Sequence, residues 1–219
     1  MNRRPRILVI NPNSNEMVTE GLRQALVPLA FAEGPEILCE SLPEGPAGIE
    51  TQEHVESVTL PLRRRVEAAN DINAFVIACY SDPGLHVARE GTASPVFGIA
   101  ECGVLTALTR ADRFGVIAIK SRSIPRHIRY LRQMGLMDRL AGERPLEMSV
   151  AESASGEGTL QRMIAIGREL RDVDGAGAIV MGCAGMARHR RPLEDALGVP
   201  VIDPTQAAVA MAIGTIMVR

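Results

Sequence analysis

The chain reads as an α/β protein in two similar halves, each a four-stranded parallel sheet covered by helices on both faces. Two observations predict this. Short Val- and Ile-rich runs alternate with segments of helical periodicity, the pattern of parallel strands joined by crossover helices. Two of those runs are also near-copies: Ala74-Phe75-Val76-Ile77-Ala78-Cys79 and Ala178-Ile179-Val180-Met181-Gly182-Cys183 each end on a cysteine. The Pro-Val pairs beyond them, Pro95-Val96 and Pro200-Val201, keep the separation of the cysteines to within one residue, and Ile7-Leu8-Val9-Ile10 has a counterpart in Val116-Ile117-Ala118-Ile119. An internal duplication with one cysteine per half follows.

The first strand ends at Asn11. Asn13 and Ser14 are placed to cap a helix whose apolar positions, among them Val18, Leu22 and Leu26, recur at helical spacing until Gly34-Pro35. Residues 36–40 alternate as a strand, and a Pro/Gly-rich loop over 43–48 has the character of a lid or substrate wall. A helix over 52–70 should be kinked or split by Pro61. The first cysteine strand follows, then a helix opening at Pro83, a strand over 96–99 and a helix from Glu101 to about Ala111.

In the second half a strand ends near Ile119, a helix covers 123–134, and Gly135 closes it. Residues 146–150 are expected to form a strand, 152–158 a polar loop and 159–173 a helix. After the second cysteine strand come a helix with Leu193 and Leu197, a strand over 199–202 and a last helix. Asp203 followed by Pro204 is a strong start signal for that helix. Because each cysteine closes a buried strand, both thiols fall at strand carboxyl ends, where open α/β sheets bind ligands.

The 219 residues carry 24 Lys+Arg against 26 Asp+Glu, a formal charge of −2. No global basic field points to nucleic acid or an anionic membrane. The runs Arg63-Arg64-Arg65 and Arg188-His189-Arg190-Arg191 read as solvated faces. The basic start, Met1 to Arg6, precedes an apolar run too short for a signal-peptide core, and 207–218 is too short to span a membrane. The expectation is a soluble, cytoplasmic protein with reduced thiols: its four cysteines include no close Cys-x-x-Cys pair. His54, His86, His127 and His189 show no metal-ligand spacing and are assigned surface or local hydrogen-bonding roles. Neither metal nor cofactor is expected.

Ile10-Asn11-Pro12-Asn13, Ala78-Cys79-Tyr80-Ser81-Asp82-Pro83-Gly84-Leu85, Gly98-Ile99-Ala100-Glu101 and Gly182-Cys183-Ala184-Gly185-Met186-Ala187 together resemble the aspartate/glutamate/hydantoin racemase superfamily, most of all its hydantoin and allantoin racemase branch. The resemblance covers nearly the whole chain. It implies two Rossmann-like lobes related by a pseudo-twofold axis, with the active site between them, and self-association into a homo-oligomer. It also implies that the last helix packs back on the first lobe, so that residues 1–99 with 204–219 form one lobe and 100–203 the other.

The implied activity is cofactor-independent racemisation of a small carbon acid, with Cys79 and Cys183 as the two proton-transfer groups. Inverting such a carbon requires a base on one face and an acid on the other, and a thiol has an ordinary pKa of about 8.5, from which both states are reachable. A helix N-terminus beyond each strand would lower it further. Asn11 and Asn13 match the family's substrate-contacting loop. The backbone amides of Tyr80, Ser81, Ala184 and Gly185 and the Ser81 hydroxyl are candidate donors to the enolate oxygen, and Ser121 is the second-half counterpart. Tyr80 and Ala184-Gly185 replace the polar residues of glutamate racemases, which favours a less charged, hydantoin-like substrate.

A lone cysteine is more often packing than chemistry. A pair at matching places in a duplicated unit reverses that weight, whereas Cys39 and Cys102 lack a counterpart and are read as structural. Glu101 is read as a first-turn helix acid. Cys183 to Arg188 is one residue shorter than a thiol phosphatase cradle. Malonate-decarboxylase-like and maleate-isomerase-like enzymes share the fold, and the two cysteines argue more against the former. A non-enzymatic accessory role in hydrogenase expression is the alternative of a different class.

Overall fold

The computed structural model of the chain describes residues 4–155 and 158–218. The first three residues, positions 156–157 of the 152–158 loop and residue 219 of the last segment lie outside the described residues. One sheet holds β1 (Arg6–Asn11), β2 (Glu36–Ser41), β3 (Ala74–Ile77) and β4 (Val96–Gly98) in the order β2-β1-β3-β4. The other holds β5 (Phe114–Ala118), β6 (Leu140–Pro145), β7 (Ala178–Gly182) and β8 (Val201–Ile202) in the order β6-β5-β7-β8. Every ladder is parallel. The identical order places the two cysteine strands, β3 and β7, at equivalent positions beside the central strands β1 and β5.

The helices are α1 (Glu16–Leu26), α2 (Gln52–Ser57), α3 (Thr59–Ala68), α4 (Leu85–Glu90), α5 (Ile99–Leu108), α6 (Ile124–Gln133), α7 (Val150–Ser155), α8 (Thr159–Asp172), α9 (Arg190–Leu197) and α10 (Pro204–Met217). Two of them explain how the sheets are joined. α5 and α10 are apolar nearly all round, the composition of helices buried on every side, and they pack against each other. Ile99 and Val104 of α5 and Ala208, Val209 and Ala212 of α10 share one core with Val9 and Val76 of the first sheet and Val116 and Val180 of the second. The outer faces have their own cores, Phe75 and Ile77 over Leu62 in one half, Ile117 and Met181 over Met163 and Leu193 in the other. Sheets covered on both faces need apolar residues at successive positions, and Ile7, Leu8, Val9 and Ile10 are all buried.

Several elements differ from the sequence expectation. The 52–70 segment splits at Val58, upstream of Pro61, which occupies the third position of α3, where a missing N–H costs no intrahelical bond. The cap of α1 is Asn15, whose side chain accepts from Met17 N, rather than Asn13 or Ser14. The helix after the first cysteine begins at Leu85, behind a left-handed Gly84, rather than at Pro83. Residues 146–150 are not a strand. Leu146, Met148 and Val150 do alternate into the core, and Leu146 N and Met148 N donate to Ala118 O and Ile119 O, but Glu147 at φ 53° interrupts the ladder. The strand is instead β6, a half-exposed edge whose Gly and polar residues hide its pattern. Part of the expected 152–158 loop is α7.

Candidate active site

Four loops leave the carboxyl ends of the central and cysteine strands: 11–15 after β1, 79–84 after β3, 120–123 after β5 and 183–189 after β7. All four, with the start of α6, line a cleft with about 410 Å³ of empty space, open solvent included. Cys79 and Cys183 both line it, as do Asn13, Tyr80, Ser81, Ala184 and Gly185. Asn11 does not. It is fully buried and donates to Asn13 Oδ1 at 3.0 Å and Thr19 Oγ1 at 2.9 Å, so it orients Asn13 from behind. Ser121 is exposed and outside the cleft, its amide donating to Glu147 Oε1 at 3.1 Å. The second-half loop instead contributes Ser123.

The 79–84 loop is held by Asp82. Its carboxylate accepts from Ala100 N and Glu101 N at 2.9 Å each, capping α5 from a neighbouring loop. Gly98 is required there, because a Cβ would sit 2.2 Å from Asp82 Oδ2. This explains the Ser81-Asp82 and Gly98-Ile99 stretches together: one fixes the loop, the other leaves room for it. Glu101 takes Arg89 at 2.9 Å and Tyr130 Oη at 3.2 Å and does not line the cleft.

Two residues of the cleft wall carried no warning in the sequence. Arg126 and His127, neighbours on α6, both face it. His127 is 5 % exposed and was expected at most to make local hydrogen bonds. It pairs through Nδ1 with Glu143 Oε1 at 2.5 Å, approaches Ser81 Oγ with Nε2 at 3.5 Å, and meets the Tyr80 ring edge-on at 5.1 Å. Helical periodicity places 124, 127, 128 and 131 on one inward face, but only the tertiary fold reveals that this face ends at the thiols. The remaining wall is apolar: Val18, Ile49, Ile119 and Val150.

The sequence suggested a helix N-terminus beyond each thiol; Cys79 has none directly after it, whereas Cys183 is itself the N-cap of a short 3-10 helix. A turn follows Cys79, and residues Ala184–His189 form a 3-10 helix after Cys183. Burial pushes the Cys79 thiol up to about 12, against a lowering contribution from Ser81 N. Burial likewise raises Cys183, opposed by Gly185 N and the Ser153 hydroxyl, which lies 3.7 Å from Sγ. Two of the amides assigned to an enolate therefore serve the sulfurs. Charge on Cys183 also raises Cys79, so ionising one thiol opposes ionising the other. Cys39 and Cys102 lie outside the cleft.

A profile of the family described as Asp/Glu/Hydantoin racemase matches residues 7–212. The chain belongs to that family. Membership in a racemase family classes it as an isomerase. A hydantoin racemase of Paenarthrobacter aurescens is 39 % identical over 212 residues, spanning 94 % of this chain and 89 % of that one. Among solved structures, an allantoin racemase from Klebsiella pneumoniae superposes with a TM-score of 0.91 at 34 % identity, covering 98 % of this chain and 88 % of that one. A glutamate racemase from Francisella tularensis shares the two-lobed fold, with a TM-score of 0.68 at 17 % identity over 99 % of this chain and 82 % of that one. Among the described residues no helix is long and apolar enough to cross a membrane.

Proposed function

We propose that this isomerase racemises a small hydantoin-type carbon acid without a cofactor, by proton transfer between Cys79 and Cys183. The observation that carries this reading is that the two thiols, one from each sheet, line the same cleft. One sulfur, as thiolate, takes the proton from the carbon next to the ring carbonyl. The negative charge passes to the carbonyl oxygen, and the other sulfur, as thiol, returns a proton to the opposite face. The first thiol is then protonated and the second ionised, so the same pair runs the reaction in reverse.

Burial raises both thiols, so the thiolate that starts the reaction is a minor form at neutrality and becomes more abundant as the pH rises. The enolate oxygen finds donors in the backbone amides of Tyr80 and Ala184, with Ser81 Oγ and Asn13 beside them. Cys79 and Cys183 act as catalytic residues in this scheme, and residues 1–99 with 204–219 and 100–203 act as the two lobes that carry them. The apolar wall of Val18, Ile49, Ile119 and Val150 suits a ring rather than a zwitterionic amino acid.

The test is incubation of an enantiopure 5-substituted hydantoin with the protein in deuterium oxide. The reading expects loss of optical rotation together with deuterium at C5, well above the rate without protein. A panel of hydantoins that neither lose rotation nor exchange would overturn it.

A further inference from the structure

Arg126 differs from the other cations around the cleft. Lys120 and Arg122 share Glu50, at 2.5 and 2.8 Å, and Arg129 donates to Gln52 Oε1 at 2.7 Å. Arg126 reaches only Ser81 Oγ at 3.5 Å and Arg122 O at 3.4 Å, both at the outer limit of a hydrogen bond. Among the described residues no carboxylate makes an ion pair with it. Glu143, whose charge acts on Arg126 through space, is hydrogen-bonded to His127 instead. The guanidinium is nonetheless half-buried on the cleft wall, close enough to Cys79 for the two charges to interact, and burial works against its charge.

A cation kept partly out of water without a partner is costly, and an arginine presents a planar fork matched to a carboxylate. The proton path occupies the line between the thiols, so a flat ring lies across it and its substituent must leave along the wall. Part of that wall is apolar, and part of it is Ser81, Arg126 and His127. Arg122, in the turn before α6, and Arg129, within it, flank Arg126 and extend positive charge along the surface beside it, although the chain as a whole carries −2. Such a surface steers anions inward.

The geometry points to Arg126 as a carboxylate-binding subsite that selects carbon acids whose substituent is anionic, such as a 5-(carboxyalkyl)hydantoin. This rests on the racemase reading for its substrate ring but not for the binding itself. The substrate is then neutral at the ring, where the thiols act, and charged at its far end.

The experiment compares racemisation of 5-(2-carboxyethyl)hydantoin with that of its carboxamide analogue, nearly equal in size and shape. The carboxylate should be preferred by about tenfold or more in kcat/KM, the worth of one charge-assisted pair, mostly through KM. Arg126→Gln should collapse that ratio toward one, and Arg126→Lys should keep part of it. Equal use of both substrates by the parent protein, or an Arg126→Gln loss shared equally by both, would overturn the subsite. Calorimetric binding of the carboxylate to the Cys79→Ser/Cys183→Ser double variant, with and without Arg126→Gln, separates the two readings. Binding that depends on Arg126 without any turnover by the parent would sink the racemase and keep the subsite. Binding indifferent to Arg126 would sink the subsite whatever the turnover.

Discussion

The loops after Cys79 and Cys183 start from equivalent strands and have become unlike walls. The first is polar and braced: Asp82 ties it to α5, and Ser81 stands before Arg126 and His127 from the other half. The second is a 3-10 turn, Ala184–His189, packed against α1, with Gly185 N and the Ser153 hydroxyl beside its sulfur. Duplication has preserved the place of the sulfur while each neighbourhood has taken a separate task. In the proposed reaction, one wall grips and orients the substrate and the other presents the second thiol. The sulfurs are thus equivalent in position and inequivalent in environment.

Breaking the pair has the largest expected effect. Cys79→Ser or Cys183→Ser alone should lower racemisation by roughly a thousandfold, since a hydroxyl is far harder to ionise than a thiol and proton-transfer groups contribute about 10²–10⁴. The double variant should fall little further, because the two act as one unit. Steady-state polarimetry checks both.

The pH dependence comes next. Both thiols are raised by burial, so the thiolate fraction is small at neutrality and grows with pH. After subtraction of the uncatalysed rate, kcat/KM should climb by up to tenfold per pH unit and continue past about 8.5, where an ordinary thiol would level off. A plateau near pH 7 would show that the loops ionise their sulfurs, contrary to the burial that surrounds them.

The brace of the first loop should be worth less. Asp82→Ala removes the cap of α5 and leaves two buried amides unpaired, and should cost about 1–3 kcal/mol in urea unfolding. Gly98→Ala forces a Cβ into the same carboxylate and should cost about 1–3 kcal/mol. If the two variants combined cost clearly less than their sum, the shared site is confirmed. The smallest effect belongs to the second loop: Ser153→Ala removes a weak donor to Cys183 and should change kcat by a few-fold, more in the direction that uses Cys183 as base.

Much of this was legible in the chain. Val/Ile runs bounded by turn residues revealed six of the strands, because strands buried on both faces must be apolar throughout, and alternation revealed the edge strand β2. β6 escaped, being an edge strand with Gly142 and Arg144, and the alternation of Leu146, Met148 and Val150 belongs to extended chain broken at Glu147. The thiols were visible through their duplication. Arg126 and His127 were not, since they reach the cleft from a helix of the other half and have no repeat to mark them. Asn11 matched a motif yet serves from behind, because its side chain, at the last position of β1, is buried against Thr19 of α1. Ser121 was carried over by analogy, and its loop reaches the cleft two residues later, at Ser123.

The most direct measurement is enantiomer-resolved exchange of the C5 proton with solvent deuterium, followed by NMR for each single cysteine variant. Opposed thiols predict that Cys79→Ser still exchanges one enantiomer without inverting it and that Cys183→Ser exchanges the other. Exchange of the same enantiomer by both variants, or undiminished racemisation in either, would mean that the two sulfurs do not address opposite faces of one carbon.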